Sequence, residues 1–482
     1  MLEIVSHKYL KRFVKSNNLK WKHVYSFGRI ISKCLQSKDN YLINSEIFIT
    51  QEWYSPLLLS IFLHEKNSIF ILSREKIQEL VKTQLPLLKD FGFSFKLIKD
   101  EIIFPRHKIS FMTLDKLLIL YGNLKLFNQR IILSESEKIK NNLKQFLRIS
   151  LFRKDWLSAS YVLEIRGNRI LDIYNSLKQK FFSRAIPGKN YIHLDVDEIQ
   201  FLEKFFEENS ELSTKFNLVK KALSSDWACW INLDYDNFEW ILNLEPINEL
   251  SEVIELFTRN QFIFLSSTRK DHFLEKYFKD SNIKINLLIN FKSNYVEKNI
   301  LIYVPSRQIL PNNPVFTDLI FEKCKKLIIL RYGLNVILTN ENRLKIDLAT
   351  KLASEYGQNV LLEKLPKNDE NIICSDFSWW INNLNQIAYP QQIIVPLLPI
   401  PSISEPINAM TVSYIKRNSR NWFRDFLLLE ALQLLDSSVA PLRRQTGKLF
   451  ILDGRINNKQ WGRDLLQMIQ PSKVINYKFP FE

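Results

Sequence analysis

Two adjacent tryptophans, Trp379 and Trp380, and a set of cations toward the C-terminus are the side chains of this sequence best suited to recognition chemistry. Flat indole faces can stack on unpaired bases. Arg443, Arg444, Arg455, Lys459 and Arg463 supply charges that can neutralise a phosphate backbone without reading its sequence. Each group also has a plainer reading. Tryptophans pack between a sheet and a helix, and arginines at a helix end suit the helix dipole. A third cluster, Ser134-Glu135-Ser136-Glu137, follows the strand-like RIIL. A serine followed by acids is also the pattern of a helix N-terminus, with a hydroxyl cap and carboxylates on the positive end of the dipole.

The missing chemistry is equally informative. Cradling nucleotide phosphates takes a glycine-rich loop with a lysine and a Ser or Thr. The chain has only ten glycines in 482 residues. Its Gly-Lys pairs, Gly188-Lys189 and Gly447-Lys448, do not open a helix after a strand. Cys34, Cys229, Cys324 and Cys374 lie far apart with no CxxC pair, so neither a zinc site nor an iron–sulfur cluster is supported. A reduced cytoplasmic protein fits that usage. MLEIVSHKYLKRF lacks the apolar core of a signal peptide, and no apolar run has the length of a membrane span. The net charge of +16 points to a polyanion partner. Compositional drift toward Lys, Asn, Ile and Phe gives the same number.

Elements that must position these residues follow from periodicity. Residues 1–40 read as amphipathic helices with basic faces, anchored by Trp21. From 41 to 140, strand-like YLINSEIFI, NSIFILS, FSFKLI, KISFMTL and RIILS alternate with helices such as WYSPLLLSIFLHE and REKIQELVKTQLPLLKDFG. That alternation argues a parallel α/β domain. Residues 141–225 are dominated by helical runs and read as an insertion. WACWINLDYDNFEWILNLEP then returns the chain to the first sheet, and NQFIFLSST, INLLINF and ILIYVP complete that domain over 226–304. The Pro-rich PSRQILPNNP opens a second α/β domain over 305–482.

The C-terminal order is a strand into LLPIP (Leu397–Pro401), a long helix into PLRR, then a strand ending LDGR (Leu452–Arg455). It resembles the second motor domain of the DinG-type branch of the XPD-like superfamily two DNA helicases. Further family landmarks fall in order upstream. SDFSWW (375–380) resembles the family's Ser-Phe-Trp-Glu-Gly-x-Asp segment. FLSST (264–268) lies at the place of Thr-Ser-Ala-Thr, IILSESEKI (131–139) at that of the DEAH box, and SIFILSREKIQELVKTQLPLL at that of motif Ia.

The resemblance implies two tandem RecA-like parallel-sheet domains with a helical, arch-like insertion in the first. It implies that Glu135 matches the base that orients water in ATP hydrolysis, that Ser134 replaces the magnesium-binding Asp, and that Glu137 replaces the coupling His. The phosphate loop falls on ITQEWYSP, which has neither glycine nor lysine. In motif VI, Arg443 matches one arginine finger and Ala440 replaces the other, with Asp436 at the glutamine. Trp379, Trp380, Arg444, Arg455, Lys459 and Arg463 are the candidate nucleic-acid contacts by their ring faces and charge, and Arg444 has no counterpart in the family's motif. The expectation is a degenerate member that binds nucleic acid, single-stranded DNA in preference to RNA, with no iron–sulfur cluster. ATP and magnesium are cofactors only under the alternative of a working helicase. A catalytically dead scaffold is the third reading.

Overall fold

A computed structural model describes residues 2–17, 21–49, 52–98, 101–105, 107–124, 127–162, 167–186, 189–267, 272–291, 298–305, 310–329, 333–368, 370–387, 389–444 and 446–475. The chain folds into two compact units. The first comprises Met1–Lys292 with Ser402–Arg420, and the second Ser293–Pro401 with Asn421–Glu482. The division falls before Ile300–Tyr303, so the ILIYVP strand belongs to the second sheet. It pairs in parallel with Lys448–Ile451 and Ser472–Ile475, and not with the first domain as its sequence position suggests.

The first unit is built on an eight-stranded sheet. Its order is Leu287–Asn290, Tyr41–Asn44, Gln261–Ser266, Arg130–Leu133, Ser68–Ile71, Lys108–Met112, Glu101–Ile103, Lys96–Ile98. The inner pairings are parallel and the last two antiparallel. YLIN, SIFI and QFIFLS are buried at every position. Helices cover both faces of a parallel sheet, so its strands are continuously apolar and do not alternate. The N-terminal helices Leu2–Asn17 and Val24–Gln36 pack with Tyr54–His64 on one face, burying Phe13, Trp21, Phe27 and Ile31.

The insertion departs from the expected helical segment. It carries the helices Arg153–Val162, Gly167–Ser183, Val196–Asn209 and Thr214–Leu223, but also its own four-stranded sheet. The Trp227–Asp234/Glu239–Pro246 hairpin does not rejoin the first sheet. It pairs antiparallel with Ile149–Leu151 and Tyr191–His193. Its alternating apolar residues suit a sheet with one covered face; here the core gathers Trp156, Tyr174, Phe206 and Trp240. The Pro406–Arg417 helix also belongs to this unit, and His193 Nε2 lies 3.2 Å from the Ser404 carbonyl.

The second unit holds an all-parallel seven-stranded sheet. Its order is Val360–Leu362, Ile372–Ser375, Asn335–Leu338, Gln392–Val395, Lys448–Ile451, Ile300–Tyr303, Ser472–Ile475. The long C-terminal helix is continuous in sequence but not in geometry: a π-turn at Phe423–Leu427, the α-helix Leu428–Val439, and a 3-10 turn at Ala440–Arg444.

Candidate nucleotide and nucleic-acid sites

In a parallel α/β sheet, ligands gather beyond the carboxyl ends of the strands. The first strand, Tyr41–Asn44, runs into a 3-10 turn at Glu46–Ile49. Three amides in and beside that turn are bonded within the fold. Ser45 N donates to the Ser266 carbonyl at 2.9 Å, Ile47 N to Ser45 Oγ at 3.4 Å, and Phe48 N to the Ser45 carbonyl at 3.1 Å. A phosphate cradle needs free N–H groups converging on one point. Phe48, Trp53 and Tyr54 are buried around this turn, with ring centroids 5.1 Å apart for Phe48 and Trp53 and 4.3 Å for Trp53 and Tyr54. Ser55, in the first turn of the following helix, donates its hydroxyl to Gln84 Oε1 at 2.6 Å. The described residues of this loop therefore do not fit a nucleotide's phosphates.

Glu135 stands at the end of the Arg130–Leu133 strand in a left-handed conformation, φ 53°. Lys138 donates to its carboxylate at 2.8 Å, and the Lys76 ammonium lies 3.7 Å away. Lys76 also donates to the Phe48 carbonyl at 3.4 Å, which ties the aromatic turn to the acid. Burial pushes the Glu135 carboxyl up, but the two ammonium groups and the hydrogen bonds outweigh it and hold it below its ordinary value. Tyr54 is pushed well up by burial and then by Glu79 and Glu135, and its hydroxyl is buried without a hydrogen-bond partner. A base that orients water presents a free oxygen. This carboxylate is instead held between two cations. Ser134 does not cap the following turn; its hydroxyl donates to the Ile71 carbonyl at 3.0 Å. Glu137 accepts from Ser267 N at 3.2 Å and from Ser267 Oγ, linking the DEAH-like loop to the motif-III-like strand. Thr268 lies outside the described residues.

In the second unit, Trp380 is fully buried and donates Nε1–H to the Ser438 carbonyl at 2.9 Å. Trp379 is half-buried, with its amide capped by Asp376 at 2.6 Å. Arg443 is buried. Its guanidinium pairs with Asp436 and donates to the Ile469 carbonyl at 3.2 Å. The motif-VI-like glutamine and arginine positions thus bind each other. Arg444 donates to Tyr389 and lies 4.9 Å from its ring centroid. Arg455 grips the fully buried Asp453 from Nε at 3.0 Å and Nη2 at 2.6 Å, while Leu398 N donates to the same carboxylate at 2.9 Å. Asp453 therefore fastens LLPIP to LDGR. Lys459 and Arg463 are exposed.

Glu135 belongs to the first unit, and Arg443 and the other cations to the second. Sequence reasoning passed over Lys76, an ordinary lysine on an amphipathic helix, and the aromatic group Trp422, Phe423 and Trp461. Phe423 lies 6.1 Å from Trp422 and 5.7 Å from Trp461 between ring centroids, all three half-buried on the segments that carry Arg424, Lys459 and Arg463. Aromatic residues interleaved with cations were the available signal. Among the described residues, no group of three His, Cys, Asp or Glu could hold a metal, and no helix is long and apolar enough to cross a membrane. All four cysteines are buried and free, and burial pushes Cys34, Cys229 and Cys374 up to about 12.

Two tandem parallel α/β sheets, the first carrying an insertion between its Arg130–Leu133 and Gln261–Ser266 strands, define a RecA-like motor fold. Among solved structures the chain is similar to the S. tokodaii Xpd4 structure, at 13% identity and TM-score 0.58, covering 94% of this chain and 100% of that one. It is also similar to an apo XPD structure, at 12% identity and TM-score 0.56 over 93% and 99%. An XPD helicase structure aligns at 12% identity and TM-score 0.54 over 98% of each chain. The chain has the fold of the XPD helicases. No family model and no curated protein matches its sequence.

Proposed function

We propose that this protein is a helicase-related nucleic-acid-binding protein of the DinG-type branch whose ATPase site has been dismantled, and that it binds single-stranded DNA in preference to RNA. The observation that carries this reading is the sealed turn after the first strand. The Ser45, Ile47 and Phe48 amides are bonded within the fold, Phe48, Trp53 and Tyr54 are buried around the turn, and Lys76 links it to Glu135. Loss of a P-loop lysine and a magnesium ligand each removes several kcal/mol of transition-state stabilisation, on the order of 3 kcal/mol per group. The buried pairing of Arg443 with Asp436 takes a further cation out of such chemistry. Strand binding is supported by the net charge of +16 and by exposed Lys459 and Arg463 beside the Trp422, Phe423 and Trp461 group.

The test is anisotropy of a labelled oligo-dT over a salt series, with ATP turnover measured at saturating strand. Salt-sensitive binding without turnover is the expected result. Strand-stimulated turnover would establish a working motor. Absence of both activities would leave a scaffold.

A further inference from the structure

We propose that the turn of the insertion's hairpin is a base-stacking site for single-stranded nucleic acid, with the Phe182–Phe238 stack as its platform and Lys178 and Lys189 as phosphate contacts. This rests on the strand-binding reading above but concerns the other unit of the chain. The turn joins Trp227–Asp234 to Glu239–Pro246 and places Phe238 at φ 54°. That left-handed conformation suits Gly or Asn and disfavours a bulky side chain. Asn237, the residue with the better left-handed tolerance, precedes it. Phe238 is also 58% exposed, and it is absent from the buried core of the insertion.

The ring is nonetheless held in place. It stacks on Phe182 at 4.4 Å between centroids and 9° between planes. Tyr235, 42% exposed, meets Phe182 edge-on at 5.9 Å and donates its hydroxyl to the Lys189 carbonyl at 3.0 Å. Lys178 Nζ lies over the Phe238 ring, 5.3 Å from its centroid, so a stacking base displaces it toward a phosphate, and Lys189 Nζ lies over the Tyr191 ring at 5.9 Å. Single strands are bound by this combination of pre-positioned rings and neighbouring ammonium groups, because every base has a π-face.

The ammonium groups favour an anionic strand over a basic or neutral partner, and the flat rings favour bases over an acidic peptide. Lys180 and Arg184 are occupied by Glu198, but Lys178 and Lys189 form no ion pair among the described residues. Of the nearby acids, Glu239 pairs with Arg153 at 3.1 Å, whereas Asp234 accepts from Asp236 N, Asn237 N and Asn237 Nδ2, bonds that hold its carboxyl below its ordinary value and leave it an anion. Asp236 stays exposed and opposes a phosphate.

The experiment measures oligo-dT anisotropy with the full chain and its Phe238→Leu, Phe238→Tyr and Asp236→Asn variants, each checked for an unchanged melting temperature. Leu keeps apolar contact with Phe182 but has no flat face. Since stacking contributes ~1–3 kcal/mol per base, Phe238→Leu is expected to weaken binding by about fivefold to a hundredfold. Phe238→Tyr should retain binding and Asp236→Asn should tighten it. Equal affinity for wild type and Phe238→Leu overturns the site and leaves the aromatic turn to a protein partner. A wild type that binds no strand overturns the parent reading as well. Should Phe238→Leu misfold, Lys178→Gln with Lys189→Gln carries the test, and an unchanged salt slope for that pair refutes the site.

Discussion

Glu135→Gln separates a structural carboxylate from a catalytic one. The wild-type group bonds Lys138 at 2.8 Å and faces Lys76 at 3.7 Å, with its own side chain 18% exposed. A hydrogen bond to a charged group contributes about 1.5–3 kcal/mol. Lys138 is 42% exposed, which places the pair toward the lower end, and glutamine retains part of the bond. A loss of about 1–2 kcal/mol is expected, or roughly 1.5–3 °C in the melting of the first unit. The pH dependence has a defined sign. The carboxyl is held lower in the fold than in the unfolded chain. Its contribution is therefore complete above the unfolded pKa of about 4.3 and is lost as pH falls through the folded value. Scanning calorimetry should show the full gap between wild type and variant at neutral pH, closing in acid. Equal melting at neutral pH, with a wild-type ATP turnover abolished by the substitution, would refute the reasoning.

Other outcomes follow from the second unit. Arg443→Ala leaves Asp436 without its buried partner and should destabilise that unit by about 3–5 kcal/mol in urea unfolding, whereas an arginine finger would be lost without a stability change. Asp453→Asn disrupts the joint acceptor for Leu398 N and Arg455, so a loss of about 3 kcal/mol is expected together with faster hydrogen exchange at the Leu398 amide. Lys459→Gln with Arg463→Gln should flatten the log–log salt dependence of oligo-dT binding by about 1.4, from a slope near 0.7 per phosphate contact. An unchanged slope would make both of them merely solvated charges.

The alternation that identified both parallel sheets was legible because YLIN, SIFI, QFIFLS and QIIV are short apolar runs separated by amphipathic helices. Sheet membership was less legible, because a strand's composition does not name its neighbour. WACWINLD and EWILNLEP read as strands but pair within the insertion, and ILIY pairs across to Lys448–Ile451. The lead-in Ser402–Glu405 concealed the Pro406–Arg417 helix, since a proline in a first turn looks like loop until the helix behind it is seen. At the candidate sites, the absent glycine and lysine were plain from ITQEWYSP. What replaced them was not. The clamp on Glu135 depends on the fold bringing Lys76 to a distant acid, and the burial of Arg443 on the placement of Asp436 and Ile469. Lys138 and Asp436 are near neighbours of Glu135 and Arg443 in the chain, but no local pattern encodes the approach of Lys76 or Ile469.

On the proposed reading, the turn after the first strand does not admit a nucleotide. Melting of the full chain in rising Mg·ATP tests it most directly, because any ligand that binds the native state stabilises it by about 2.7 kcal/mol at 100 times its Kd. The expected result is a melting temperature that does not move through millimolar Mg·ATP, in a protein that still melts cooperatively and binds oligo-dT. A saturable rise with Mg·ATP, abolished by substitutions around Phe48 and Tyr54, would contradict it.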